Sequence, residues 1–175
     1  MPLGVVLKRT PGVTRWAKWA WSASDVLPGA GPAKWKVLAH SDTVSLYHAA
    51  TLPLTLYPSD TEAYVHELQA EQPSVYVVLR PSEGEFPLEP QVVTVSPYEG
   101  QDYCDSGEEV VERVAMPAGM AAWIQEFIDE HHREEPFVKR KRRNTRVDQV
   151  EDGVGDARIA QPSDVYRAPG HKVRS

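Results

Sequence analysis

Along residues 43–81 the spacing of apolar positions changes from two to helical and back again. Val44, Leu46, His48, Ala50, Leu52, Leu54 and Leu56 alternate with Ser45, Tyr47, Thr51 and Thr55, the period of a strand with one buried face. Pro58 ends the run. Ser59-Asp60-Thr61-Glu62 then reads as a capping box, in which a hydroxyl and a carboxylate satisfy free amides at a helix start. Tyr64, Val65 and Leu68 form one face of a short helix that Pro73 terminates. Residues 74–80, Ser-Val-Tyr-Val-Val-Leu-Arg, are almost continuously apolar, which suits the middle of a sheet. The spacing predicts a strand–helix–strand unit at the centre of the chain's organisation.

Residues 3–8 predict an earlier strand, followed by the turn Thr10-Pro11-Gly12. If residues 15–21 are also extended, Ala17, Trp19 and Trp21 share one face while Trp16 and Lys18 share the other. Trp19 and Trp21 are then expected in the core, with Trp16 half-buried at an edge. The functional alternative is an aromatic platform for a base, sugar or peptide, with Arg15 and Lys18 supplying charge. Residues 27–32 form a glycine-bearing loop, without the Gly-Lys-Ser/Thr and following helix of a phosphate cradle. Residues 34–40 alternate as a strand and pair with the next one as a hairpin. A Pro/Glu/Gly loop follows Arg80, and a strand over 91–96 pairs antiparallel with 74–80. Residues 97–109 read as an acidic loop, and Val110, Val111 and Val114 as a short closing strand. After Pro117, the residues Met120, Trp123, Ile124, Phe127 and Ile128 fall at i, i+3, i+4, i+7 and i+8, the stripe of a helix packed on a sheet.

These elements predict an α+β domain over residues 1–136. Its core is a mostly antiparallel, curved sheet of six or seven strands with two helices. A basic, largely disordered tail over residues 137–175 follows. The chain has 175 residues, 15 prolines and 11 glycines, room for one domain with a sizeable core and many turns. Charge divides it unevenly. Residues 1–136 carry 9 basic and 20 acidic side chains, net −11, and residues 137–175 carry 10 and 5, net +5. No apolar run approaches membrane-spanning length, and no basic segment followed by an apolar one opens the chain. A cytoplasmic protein is the expectation. The single cysteine, Cys104, rules out an internal disulfide or a multi-cysteine metal site within the chain.

The spacings that enzyme classes require are missing: His-Glu-x-x-His, Gly-x-Ser-x-Gly and Gly-x-Gly-x-x-Gly do not occur. Cys104 lies among acids that disfavour its thiolate. His131 and His132, near Glu130, Glu134 and Glu135, point about 100° apart on a helix, a poor arrangement for holding one ion. No catalytic residue, metal or cofactor is assigned. Two surfaces remain. Tyr98, Asp102, Tyr103, Glu108 and Glu109 read either as a tyrosine-bearing acidic recognition patch, since tyrosine supplies contact area at low entropic cost, or as an ordinary solvated loop whose tyrosines pack beneath it. Lys139, Arg140, Lys141, Arg142 and Arg143 form a cationic run that suits phosphate, anionic lipid or an acidic protein. Nucleic acid is disfavoured by the negative charge of residues 1–136.

Several stretches taken together resemble a known family. They are Leu3-Gly4-Val5-Val6, Arg15-Trp16, Tyr47-His48-Ala49, and residues 73–80 (Pro-Ser-Val-Tyr-Val-Val-Leu-Arg). Ser96-Pro97-Tyr98-Glu99 with Asp102-Tyr103, and Trp123 through His131-His132 to residues 135–142, belong to the same pattern. The chain resembles an uncharacterised proteobacterial domain-of-unknown-function family, over about residues 3–142. Genes of that family tend to lie beside those for formate dehydrogenase and molybdenum-cofactor proteins. The resemblance carries over no catalytic residues. It implies an accessory protein serving a molybdenum- or tungsten-dependent formate dehydrogenase, with an enzyme subunit or a maturation factor as partner. An anion-binding module that contacts nucleic acid or a membrane surface through Lys139 to Arg143 is the alternative expectation.

Overall fold

Among the described residues, seven strands and three α-helices follow one another as β1 (Pro2–Pro11), β2 (Trp19–Pro28), β3 (Lys34–His40), β4 (Ser45–Pro53), α1 (Thr61–Leu68), β5 (Ser74–Pro81), β6 (Leu88–Thr94), α2 (Pro97–Ser106), β7 (Val110–Ala115) and α3 (Ala118–His131). The computed structural model describes residues 1–133. The expectation of a disordered tail falls outside them.

The strands form two sheets. One has the order β2-β1-β4-β3 and the other β6-β5-β7, and every pairing is antiparallel. β1 and β5 are flanked on both sides, and their sequences explain why. Leu3, Val5, Leu7, Val75, Val77 and Leu79 are all fully buried, as apolar runs between two neighbours require. The register of β1 slips between Val5 and Val6 against β4, and between Val6 and Leu7 against β2. Such bulges bend a strand and increase its twist. Both inner faces join one core with Ala63 and Tyr64 of α1 and Met120, Ile124 and Ile128 of α3. The sheets also meet along their sides, β2 against β7 and β4 against β6. There the Ala23 N–H donates to the Glu112 carboxylate.

The expected α+β class, the hairpin of β3 with β4, the β5–β6 pair and the central place of β5 all hold. Three features differ. The strands divide into two sheets, so the strand–helix–strand unit crosses from one sheet to the other. Alternation tells which side chains share a face, whereas the neighbouring strand is chosen by pairing partners far away in sequence. The described residues hold three α-helices rather than two, because residues 97–106 are helical. The capping box does not form: residues 58–60 make a 3-10 turn, and the Ser59 hydroxyl donates to Asp60 Oδ1 at 2.8 Å. The Thr61 hydroxyl instead donates to the Pro58 carbonyl at 3.2 Å.

Candidate partner-binding site

The acidic patch is carried by a helix whose two ends are fixed by local chemistry. The Ser96 hydroxyl accepts the Glu99 N–H at 3.3 Å, and Pro97 occupies the first turn, where no amide is needed. Gly107, at φ 71°, ends the helix in the left-handed conformation and returns its N–H to the Cys104 carbonyl at 3.3 Å. Midway along α2, Gly100 rests on the ring of Tyr76. A Cβ there would stand 2.7 Å from Tyr76 Cδ1. The sequence contained these signals, serine then proline at one end and glycine at the other. The density of acids and the low helix propensity of the segment obscured them.

Tyr98, Asp102 and Asp105 recur at i, i+4 and i+7, and all three are exposed, as is Cys104. Tyr103 is half-buried on another side of α2. Glu108 is exposed just beyond the helix. Glu109 has a different role: its carboxylate receives Arg80 at 2.7 Å and lies 2.8 Å from the Ser106 hydroxyl. Those two hydrogen bonds, Arg80 first, hold the Glu109 carboxyl below its usual range. Of the five acidic-patch residues, Tyr98, Asp102 and Glu108 are presented to solvent, while Tyr103 and Glu109 are partly engaged by the fold. Lys139, Arg140, Lys141, Arg142 and Arg143 lie outside the described residues.

Beneath α2 is a polar network that the sequence did not signal. Glu67, 3% exposed, accepts the Ser74 N–H and the Tyr76 hydroxyl, each at 2.8 Å, and has Arg113 at 3.6 Å. Arg113 also donates to Ser74 Oγ at 3.3 Å. Burial, then the bond to Glu67, pushes the Tyr76 phenol up to about 12. This network ties α1 to β5 and β7. An open cleft of about 350 Å³ lies beside it, lined by Ala70, Glu71, Gln72, Ser74, Arg113 and Ala115.

The tryptophans depart from expectation. Trp16 is 93% exposed at the tip between β1 and β2, and Trp19 lies partly open to solvent. Of Trp16, Trp19 and Trp21, only Trp21 packs into an aromatic cluster, with Trp35, Tyr47 and Phe86. Trp35 and Phe86 stack at 3.7 Å. Trp35 has φ 53°, uncommon for a residue with a side chain, and borders a 210 Å³ cleft between the sheets. The tip escapes burial because residues 12–18 form an irregular loop, so strand alternation never governs Trp16.

The two histidines at the end of α3 are separately engaged. His131 stacks on Phe127 at 4.3 Å and donates to the Phe127 carbonyl at 3.1 Å. His132 Nδ1 lies 3.0 Å from Thr61 Oγ1. Among the described residues no three potential ligands converge on one point. No helix among them is long and apolar enough to cross a membrane.

A family model matches residues 2–141, and its description is a protein of unknown function, DUF3305. The chain belongs to this family. Every described strand and helix of this DUF3305 chain, α2 included, lies within the matched span. Lys139, Arg140 and Lys141 also fall inside it, whereas Arg142 and Arg143 lie beyond. No curated protein and no solved structure matches the chain.

Proposed function

We propose that this DUF3305 chain is a non-enzymatic accessory protein that holds a partner polypeptide through the exposed face of α2. The observation that carries the reading is the presentation of Tyr98, Asp102 and Asp105 on a helix locked at both ends. Rigid display of an aromatic anchor among charges lowers the ordering cost of binding. Following the family resemblance, the partner is a subunit or maturation factor of a molybdenum- or tungsten-dependent formate dehydrogenase. The cationic run from Lys139 to Arg143 is a second contact on the same reading.

A tagged full-length chain and one ending at Pro136, recovered from the native host with nuclease treatment, test it. Recovery of a molybdoenzyme subunit or its maturation proteins supports the reading, and Tyr98→Ala or Asp102→Ala should then reduce recovery. Retention of that partner by the shorter chain assigns the main contact to residues 1–136, and its loss assigns it to the tail. Recovery of only nuclease-sensitive or lipid-bound material, lost with the tail, would favour the anion-binding alternative. Turnover of a small molecule that depends on one carboxylate or on Cys104 would overturn the reading.

A further inference from the structure

The charge of the described residues is divided between the ends of the chain. Residues 1–41, which form β1, β2 and β3, carry Lys8, Arg9, Arg15, Lys18, Lys34 and Lys36 against the single acid Asp25, net +5. Residues 42–133 carry three basic and 17 acidic side chains, net −14. β4 completes the same sheet as β1, β2 and β3 and contributes no Lys, Arg, Asp or Glu. The four-stranded sheet is therefore cationic, and the rest of the described chain is acidic.

At one end of this sheet the cations meet aromatic surface. The Arg9 guanidinium lies 4.5 Å from the Trp19 ring, 5.7 Å from Tyr47 and 5.9 Å from Trp21. It donates to Ser45 Oγ at 3.1 Å, and that oxygen is 2.8 Å from His40 Nδ1. Its Nε is buried and has no hydrogen-bond partner among the described residues. No ion pair among the described residues includes Arg9. A half-buried guanidinium normally acquires a carboxylate, because partial desolvation raises the cost of an isolated charge. Directly beyond it, the hairpin tip presents Val13 at 100% exposure and Trp16 at 93%, with Arg15 and Lys18 beside them.

We propose that this end of the sheet docks an acidic protein segment, with a partner carboxylate on Arg9 and an apolar partner surface on Val13 and Trp16. The inference rests on the reading of the chain as a protein-binding module and adds a further surface, distinct from α2 and opposite to it in charge. Tryptophan and arginine together are the residue types that most often dominate an interface. A nucleic acid is a poorer occupant. Its phosphates continue along the strand, and the 17 acids of the remaining described chain repel any length beyond the basic sheet within a Debye length of about 8 Å. A short acidic segment satisfies the site and ends there.

The test uses full-length chain and a labelled octapeptide of six glutamates and two leucines. Oligouridine and phosphatidylserine vesicles run in parallel. The peptide should bind, and its affinity should weaken with salt. Trp16→Ala and Arg9→Gln should each weaken it by roughly tenfold or more. Arg9→Lys, which keeps the charge and loses the planar fork, should fall between. Trp16→Ala removes an exposed side chain, so an unchanged melting temperature separates lost binding from lost folding. Failure to bind the peptide, or preferential binding of oligouridine or vesicles, would overturn the proposal. A photo-crosslinker at position 16 or position 98 in the native host separates the two surfaces. Capture of an acid-rich peptide from position 16, diminished by Arg9→Gln, supports this one. Capture from position 98 alone overturns it and leaves the α2 reading standing; capture from neither overturns both.

Discussion

The Tyr76 hydroxyl donates to Glu67 Oε2 at 2.8 Å, across the junction of α1 and β5. Glu67 is buried, and its other oxygen accepts the Ser74 N–H. One carboxylate thus fixes where α1 stands on the second sheet. Glu67→Ala should leave the Ser74 N–H and the Tyr76 hydroxyl without their acceptor, while Arg113, exposed and bonded also to Ser74 Oγ, keeps its other partners; the expected cost is about 1–3 kcal/mol. Urea unfolding of the two proteins measures it. A cost within about 0.5 kcal/mol, the usual range of a surface change, would mean that the network is not formed.

The same pair sets an alkaline limit. The folded Tyr76 phenol titrates at about 12, above the usual tyrosine value of 10.0. Between those values the unfolded chain loses the Tyr76 proton while the folded chain keeps it. This contribution to stability is complete below pH 10 and disappears as pH rises through 12. Burial also raises the Tyr64 phenol, so absorbance titration should find the Tyr76 step, near 12, as the last among the seven tyrosines, and Tyr76→Phe should remove that last step. Retention of the late step in Tyr76→Phe would assign it to another residue.

Gly100→Ala places a methyl carbon 2.7 Å from Tyr76 Cδ1. α2 must then move off β5, and we expect a loss of about 1–3 kcal/mol. Gly119→Ala, in the first turn of α3, meets nothing within 4 Å. It should stabilise by about 0.5 kcal/mol through helix propensity. Thermal melts of the two variants should therefore shift in opposite directions. A shift of the same sign would mean that α2 does not rest on Tyr76.

Ser96→Ala removes the acceptor of the Glu99 N–H. The expected cost is about 1 kcal/mol, with hydrogen exchange rising first in residues 97–106. If the acidic face acts as a rigid display, partner affinity should fall in this variant even though Ser96 is buried. Unchanged exchange across residues 97–106 would show that the cap is not what fixes the helix.

Trp21→Ala and Trp16→Ala separate core from surface. Trp21 contacts Trp35, Tyr47 and Phe86, so its truncation should cost about 3–4 kcal/mol. Trp16 should cost almost nothing. Chemical denaturation of both variants checks the contrast, and equal losses would contradict the aromatic cluster.

Much of the sheet could be read directly. Leu3, Val5 and Leu7, and the run from Val75 to Leu79, carry enough apolar side chains in one stretch to require burial between neighbours. The stripe Met120, Ile124 and Ile128 likewise required a helix on the core. α2 was legible only through its ends, Ser96-Pro97 and Gly107, because its middle has little apolar periodicity. Glu67 looked like any other helix acid. Its burial depends on Ser74, Tyr76 and Arg113, of which Arg113 is distant in sequence.

By itself, the sequence determined the α+β class, the strands β1, β3, β4, β5 and β7, the final helix and the separation of charge along the chain. These follow from local period and from the cost of leaving apolar runs in water. Only the tertiary structure decided that the strands divide into two sheets, that Glu67 is buried, and that Arg9 sits among Trp19, Trp21 and Tyr47. Those outcomes depend on pairings between distant residues: Arg9 stands opposite both Trp21 and Ser45. No local pattern encodes a hydrogen-bonded neighbour, because any strand of matching face can satisfy the same backbone groups.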